Sequence, residues 1–133
     1  MDFGLSQELE MLRQSAREFA ATRVAPLVER MEEDGKFPLE LIPALGEEGY
    51  LGLTVPQNYD GLGMGYLARA LVLEEIARVS CALALALQVF HLGIEPVLAY
   101  GSEEQKAAPL PPLARGERLA TVAVTESGGG SDP

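Results

Sequence analysis

The feature that most constrains this chain is a run of twenty mostly apolar residues, CALALALQVFHLGIEPVLAY, from Cys81 to Tyr100. The run is about as long as a membrane span. Gln88, His91 and Glu95 interrupt it, and a charged carboxylate is costly in hydrocarbon. We therefore expect a helix packed inside a helical bundle, no association with a membrane, and more burial here than in any other helix of the chain.

The charge and the cysteine content narrow the class of protein. Twenty acidic residues stand against ten basic ones, which gives a net charge of −10, and no segment is rich in basic residues. This balance argues against nucleic acid as a partner. The single cysteine, Cys81, cannot form an internal disulfide, and in an apolar run a thiol usually packs as a small hydrophobic group. We expect a cytoplasmic protein without a signal peptide.

Helical patterns cover most of the chain before residue 116. The first segment carries an apolar stripe at alternating four- and three-residue steps: Leu5, Leu9, Leu12, Ala16 and Phe19. Ser6 is a suitable N-cap, Pro26 predicts a break, and Gly35 predicts the end of this helix. Further helices are predicted over 39–48, 66–80 and 81–100 and after Ser102, with a glycine-rich loop over 51–66.

The last residues have a different pattern. LATVAVTE, residues 119–126, is rich in β-branched residues and predicts a strand, which SGGGSDP follows as a glycine-rich loop. A lone strand leaves its backbone groups without partners, so its sheet must come from another copy or from sequence further downstream. The expected fold is an all-α helical bundle with one C-terminal strand and a Gly-rich loop.

Several groups of residues could serve a function or only the fold. The glycines of GGGS form either a flexible linker or a concave turn whose N–H groups bind phosphate. Glu74 and Glu75 are adjacent on a helix and do not face each other, so we interpret them as a solvated surface, with Glu74 pairing with Arg78. His91 has no second metal ligand or nucleophile in the pattern, which favours a packed histidine and no metal site.

One face of the apolar helix has two interpretations. Ala84, Gln88 and Leu92 recur at four-residue steps, and Leu85 lies beside them. Such a face is either ordinary core or the wall of a channel for an acyl chain. Spacing alone does not separate the two interpretations.

The order of several motifs resembles the N-terminal part of the acyl-CoA dehydrogenase family along nearly the whole chain. The motifs are PLVERMEEDGKFP, VPQNYDGLGMGY, LVLEEIARVS, YGSEEQK, LARGE and TESGGGSD. The resemblance implies an N-terminal helical domain over residues 1–116 and the truncated start of a middle β domain over residues 117–133. It also implies FAD, an acyl-CoA substrate, α,β-dehydrogenation, electron-transferring flavoprotein as the acceptor, and a homotetramer.

The resemblance also implies roles for particular residues. Val122, Val124 and Thr125 match positions that contact the flavin, while Gly130 and Ser131 match a turn at the FAD pyrophosphate, with Ser131 also near the CoA end of the substrate. The inner end of the acyl tunnel is matched by Ala84, Leu85, Gln88 and Leu92. The family's catalytic glutamate lies beyond residue 133, so no catalytic residue can be assigned within these residues, and we expect the 133-residue chain alone to be inactive.

Three residues depart from the family pattern, and two other functions stay open. Ser127 replaces a usual proline, Gly129 a frequent alanine and Asp60 a usual glycine; the first two changes loosen the loop. One alternative is a stand-alone helical module that binds a partner without redox activity. The other is a relative of the acyl-CoA oxidases, which pass electrons to oxygen.

Overall fold

The computed structural model describes residues 4–130, and within them it contains seven α-helices. The helices are α1 (Gln7–Phe19), α2 (Val28–Asp34), α3 (Leu41–Glu47), α4 (Gly65–Ala77), α5 (Cys81–Tyr100), α6 (Glu103–Ala107) and α7 (Leu110–Ala114). A π-helical turn over Ala20–Val24 and a 3-10 turn over Ala25–Leu27 join α1 to α2, and a second 3-10 turn covers Gln57–Tyr59. The expected all-α bundle is confirmed.

The first helical segment begins, breaks and ends as its sequence predicts. The Ser6 hydroxyl accepts a hydrogen bond from the backbone N–H of Leu9 at 3.3 Å, which caps α1. Pro26 lies in the 3-10 turn that interrupts the helix, since proline cannot donate into the helical ladder. Gly35 ends α2 with φ of 60°, a left-handed conformation in which glycine carries no steric penalty.

The core forms where α4 packs against both α1 and α5. Val72 and Ile76 of α4 and Ile94 of α5 are fully buried there. The ring of Tyr50, also fully buried, meets Phe19 of α1 edge to face, with 5.4 Å between centroids. This core fixes the position of α5, whose outer side carries the candidate site.

The glycine-rich loop between α3 and α4 folds back on itself. The N–H of Leu62 donates to the carbonyl of Gly52 at 2.9 Å, and the N–H of Met64 donates to that of Leu53 at 2.8 Å. Asp60 is the only residue other than glycine with a left-handed backbone among residues 4–130, at φ of 63°. Glycine, which the family resemblance implies at this position, would adopt this conformation without a steric penalty.

Three expectations about burial are wrong. Glu75 is not solvated but 2% exposed, because Arg17 of α1 reaches across to its carboxylate. Cys81 is exposed, because it occupies the first position of α5, outside the core. Nor is α5 the most buried helix: it buries six of its twenty residues, whereas α3 buries four of seven, since one side of α5 faces outward.

The predicted strand is also absent from the described residues. Residues 119–125 carry no strand, and an isolated antiparallel bridge joins Glu126 to Gly129. The β-branched residues favour a strand, but a strand needs a second one for its backbone hydrogen bonds, and residues 4–130 supply none.

Candidate functional site

The outward side of α5 forms one wall of an apolar groove with a volume of about 680 Å³. Leu85, Ala86 and Val89 of α5 contribute this wall. Ile42 and Leu45 of α3 lie opposite, and residues 119–121 close the groove along one edge. The groove is of a size and composition that suit a small apolar ligand or an apolar side chain from another segment.

The four residues predicted to line an acyl channel lie on one side of α5, but the groove includes only one of them. Leu85 is 63% exposed in the groove wall. Ala84 is buried, Gln88 is half-buried and Leu92 is 43% exposed. Because successive residues rotate by about 100° around a helix, Leu92 falls beside Leu85 at the edge of the groove, whereas Ala84 and Gln88 fall further round the helix, away from it. Their proposed role stays a prediction.

A polar cluster joins α4 to α5 one helical turn beyond Leu92. The Glu95 carboxylate accepts hydrogen bonds from Arg69 and from the Tyr66 hydroxyl, both at 2.6 Å, and a longer one from Thr54 at 3.4 Å. The Arg69 guanidinium also lies over the Tyr66 ring, 4.8 Å from its centroid. The hydrogen bond to Glu95 raises the pKa of Tyr66 above its usual value. These contacts hold α4 and α5 in register beside the predicted channel.

His91 is fully buried beneath this cluster. Neither ring nitrogen makes a hydrogen bond of normal geometry within residues 4–130, although the backbone of Tyr50 lies close enough to the ring to oppose slightly the lowering of its pKa. Burial, with a smaller contribution from the charge of Arg69, lowers the pKa of His91 to about 4, so the imidazole is neutral near pH 7. The expectation of a packed histidine is confirmed. No group of three metal-ligating side chains occurs in this part of the chain.

The predicted flavin-contacting residues lie on the segment that leaves the helical bundle after α7. Val122, Val124 and Thr125 are all exposed, with Val122 at 37% and Val124 at 66%. Within residues 4–130, the amides of residues 121–125 have no backbone hydrogen-bond partner. Residues 121–125 therefore expose apolar side chains and unpaired N–H groups on the surface of the described part of the chain.

A tight turn follows and brings two predicted residues together. The N–H of Glu126 donates to the carbonyl of Gly129 at 2.8 Å. A Cβ added at Gly130 would lie 3.4 Å from Cγ2 of Thr125, whereas one added at Gly128 would meet nothing within 4 Å. Ser131, which was predicted to bind both FAD and substrate, lies outside the described residues.

Sequence reasoning missed Gly93, which lies where the segment crosses α5. A Cβ added at Gly93 would lie 2.8 Å from Cβ of Ala120 and 2.8 Å from N of Thr121. A glycine inside a helical pattern is less favourable than alanine and so indicates some packing reason, but the sequence alone does not show which segment approaches it.

Among the described residues, α5 is the one helix that is long enough and apolar enough to cross a membrane. About a third of its most apolar stretch is buried inside the protein. A core helix passes the same test. The expected absence of a membrane stays a prediction.

Comparison with known proteins identifies the family. The sequence model for the acyl-CoA dehydrogenase N-terminal domain matches residues 6–117. An acyl-CoA dehydrogenase of Bacillus subtilis is 40% identical over 96% of this chain and 34% of that protein. This chain thus spans about a third of the length of the curated relatives it matches.

Two solved structures have the same fold. One, of a glutaryl-coenzyme A dehydrogenase in complex with glutaryl-CoA, superposes with a TM-score of 0.93 and is 40% identical over 99% of this chain and 34% of that one. The other, an acyl-CoA dehydrogenase from Bacillus anthracis complexed with FAD, gives a TM-score of 0.89 and is 36% identical over 96% of this chain and 23% of that one. With the matched domain and the shared fold, this chain belongs to the acyl-CoA dehydrogenase family.

Proposed function

We propose that this chain forms the N-terminal part of an FAD-dependent acyl-CoA dehydrogenase. One observation carries the proposal: an apolar groove on α5 lies directly beside a segment with exposed apolar residues and unpaired amides. An acyl chain and a flavin edge require these two surfaces side by side. The domain boundary that we propose, 1–116 and 117–133, coincides with the change from packed helices to this exposed segment.

The described residues fit FAD in their chemistry. Val122 and Val124 offer apolar contact to a flavin ring, and the N–H and hydroxyl of Thr125 offer hydrogen bonds to its polar edge. The turn that brings Gly130 beside Thr125 leaves open space at Gly128, where a side chain would otherwise stand. FAD, when bound, accepts the β hydrogen of the acyl group as hydride. These residues orient the ring and exclude water from it.

We propose that α5 orients the acyl chain. Leu85 lies in the wall of the groove, and we propose that the channel continues from there along α5 past Leu92 and Gln88, with Ala84 leaving room and Gln88 as its one polar group. The polar cluster of Arg69 and Glu95 fixes the helix that carries them. Ser131, carried over from the family resemblance, contacts the pyrophosphate and the CoA end of the substrate.

The remaining parts of the activity lie outside this chain. No residue of the chain is proposed as the base that removes the α proton. We further propose a cytoplasmic homotetramer that passes electrons to an electron-transferring flavoprotein, as the family resemblance implies.

A hybrid protein tests the proposal. This chain replaces the matching first third of the Bacillus subtilis acyl-CoA dehydrogenase, and the purified hybrid is examined for bound flavin and then mixed with acyl-CoA without oxygen. We expect a yellow protein whose flavin absorbance is lost on mixing, because substrate reduces the bound flavin. A folded hybrid, with native-like circular dichroism, that lacks flavin would contradict the proposal and favour a helical binding module without redox activity.

A further inference from the structure

We infer that Gly93 is a positioning residue. It sets where residues 120–125, the segment that carries the predicted flavin-contacting residues, lie relative to the acyl-binding side of α5. The inference rests on the proposed function, because it concerns how the two halves of that site are held together. Its geometric basis is independent of the function. No side chain at residue 93 fits the space between α5 and the segment.

The contact at Gly93 is closer than any side chain allows. A Cβ there would lie 2.8 Å from both Cβ of Ala120 and N of Thr121, and 3.0 Å from O of Thr121. Carbon atoms in contact normally lie about 3.5–4.0 Å apart. Because two of the three atoms belong to the backbone, no rotamer change relieves the overlap. The segment itself must move if residue 93 gains a side chain.

A glycine at this position also has a cost for the helix. Gly93 lies well inside α5, where glycine is less favourable than alanine by about 0.5–1 kcal/mol. Helix formation therefore does not explain a glycine at this position. The close passage of residues 120 and 121 over α5 explains it, because only glycine leaves room for them.

Two other glycines, Gly46 in α3 and Gly116 after α7, let the chain that leaves α7 lie close against α3. A Cβ at Gly46 would lie only 2.2 Å from the carbonyl oxygen of Arg115, and one at Gly116 would lie 2.9 Å from that of Ile42. Gly116 also has φ of 74°, which turns the chain out of α7. Along the chain, residues 115–116 lie against α3 and residues 120–121 lie against Gly93. Residues 122–125 follow and are exposed.

The last fixed point determines where the flavin-contacting residues begin. Val122 follows Thr121 directly, and Thr125 stands four residues beyond the crossing. Leu85 and Leu92 lie on the same helix as Gly93, so one rigid element sets the position of both halves of the site. A shift of about 1 Å between reacting groups can cost on the order of a hundredfold in rate. A displaced segment would weaken flavin binding and lower kcat, while α5 continues to bind the acyl chain.

The test compares Gly93→Ala with Ala99→Val, which adds bulk at an exposed position of α5 away from the crossing. The first readout needs no cofactor: nuclear Overhauser contacts, measured on the 133-residue chain, from the amide of Thr121 and the methyl group of Ala120 to the side chains of Val89 and Phe90, which line the same groove on α5 and are unchanged in both variants. We expect these contacts in the parent chain and in Ala99→Val. In Gly93→Ala we expect these contacts to be lost while the contacts within α5 persist.

The second readout is the FAD dissociation constant of the hybrid enzyme, together with kcat and KM for acyl-CoA. We expect Gly93→Ala to raise the dissociation constant on the order of tenfold and to lower kcat, with KM within about twofold of the parent. Unchanged contacts at Thr121, or an unchanged FAD dissociation constant, would overturn the inference. If the parent hybrid binds no FAD, the proposed function fails, and the contacts at Thr121 alone decide whether Gly93 positions the segment.

Discussion

Arg17 of α1 binds the buried carboxylate of Glu75 on α4 through two hydrogen bonds, of 3.0 Å from Nε and 2.9 Å from a terminal nitrogen. The Glu75 side chain is 1% exposed, whereas that of Arg17 is 52% exposed. The hydrogen bonds from Arg17 lower the pKa of Glu75 despite its burial. The pair joins two helices of the core. Water can solvate the charge of Arg17, whereas the buried charge of Glu75 is stabilised mainly by Arg17.

This asymmetry predicts unequal effects of mutating the two residues. Arg17→Met leaves a buried carboxylate without its main partner and should lower the free energy of unfolding by about 3 kcal/mol. Glu75→Gln leaves an arginine that water can solvate and should cost about 1 kcal/mol. Urea unfolding of both variants measures the difference. Arg30→Met, which disrupts a pair with Glu40 in which both side chains are more than half exposed, is the control and should change the free energy of unfolding little. Equal losses for Arg17→Met and Glu75→Gln would contradict this account.

Burial of neutral His91 predicts that stability falls as the pH drops below neutrality. Its pKa is about 4 in the folded chain against 6.5 when unfolded, so between these values the unfolded chain binds more protons. Stability should therefore fall by up to about 3 kcal/mol from pH 6.5 to pH 4. The groups that face the imidazole are Arg69, Glu95 and the backbone of Tyr50. They are the same in the control variant described next.

The control for this pH dependence is His91→Leu. Its stability should be nearly constant from pH 6.5 to about 4.5, below which the carboxylates with lowered pKa, such as Glu75, begin to contribute in both proteins. Urea midpoints across this pH range give the comparison. The account of His91 fails if both proteins show the same slope.

The left-handed backbone at Asp60 predicts which amino acids this position tolerates. At φ of 63° it should tolerate glycine or asparagine, whereas Asp60→Val should lower the free energy of unfolding by about 1–2 kcal/mol, because a β-branched residue strains a left-handed conformation. Asp60 also pairs with Arg115, and both side chains are about half exposed, so loss of this pair contributes little. Thermal unfolding of the three variants provides the measurement. If the glycine variant were as unstable as the valine variant, the ion pair and not the backbone would dominate.

The predicted acyl channel leads to a test of chain-length preference in the hybrid enzyme. Leu92→Trp should reduce activity on long acyl-CoA substrates more than on short ones, because added bulk shortens the channel. Leu67→Trp, at an exposed position on α4, is the matched control. Equal losses across chain lengths would favour the interpretation of Leu92 as ordinary packing.

The sequence predicts the helices of this fold well because their signals are local. The Ser6 cap, the break at Pro26 and the stop at Gly35 each act within one or two turns of the residue concerned. Periodicity likewise indicates which side of α1 is buried. These features need no knowledge of the rest of the chain.

The errors arise from contacts between residues distant in sequence. Glu75 is buried because Arg17, 58 residues earlier, reaches it, and no local pattern predicts that contact. The strand over 119–126 fails for the same reason, because its partner is not among the described residues. Gly93 was missed because its role depends on the passage of residues 120 and 121 over α5.

The central claim is that this chain carries only part of a flavin and acyl-CoA site, and titration of the 133-residue chain with FAD tests it most directly. Flavin fluorescence is followed as protein is added, with the hybrid enzyme measured alongside. We predict very weak binding by the isolated chain and tight binding by the hybrid, because residues 122–125 and the turn after them offer one side of the site. Sub-micromolar binding of FAD by a monomer of the 133-residue chain would contradict the claim.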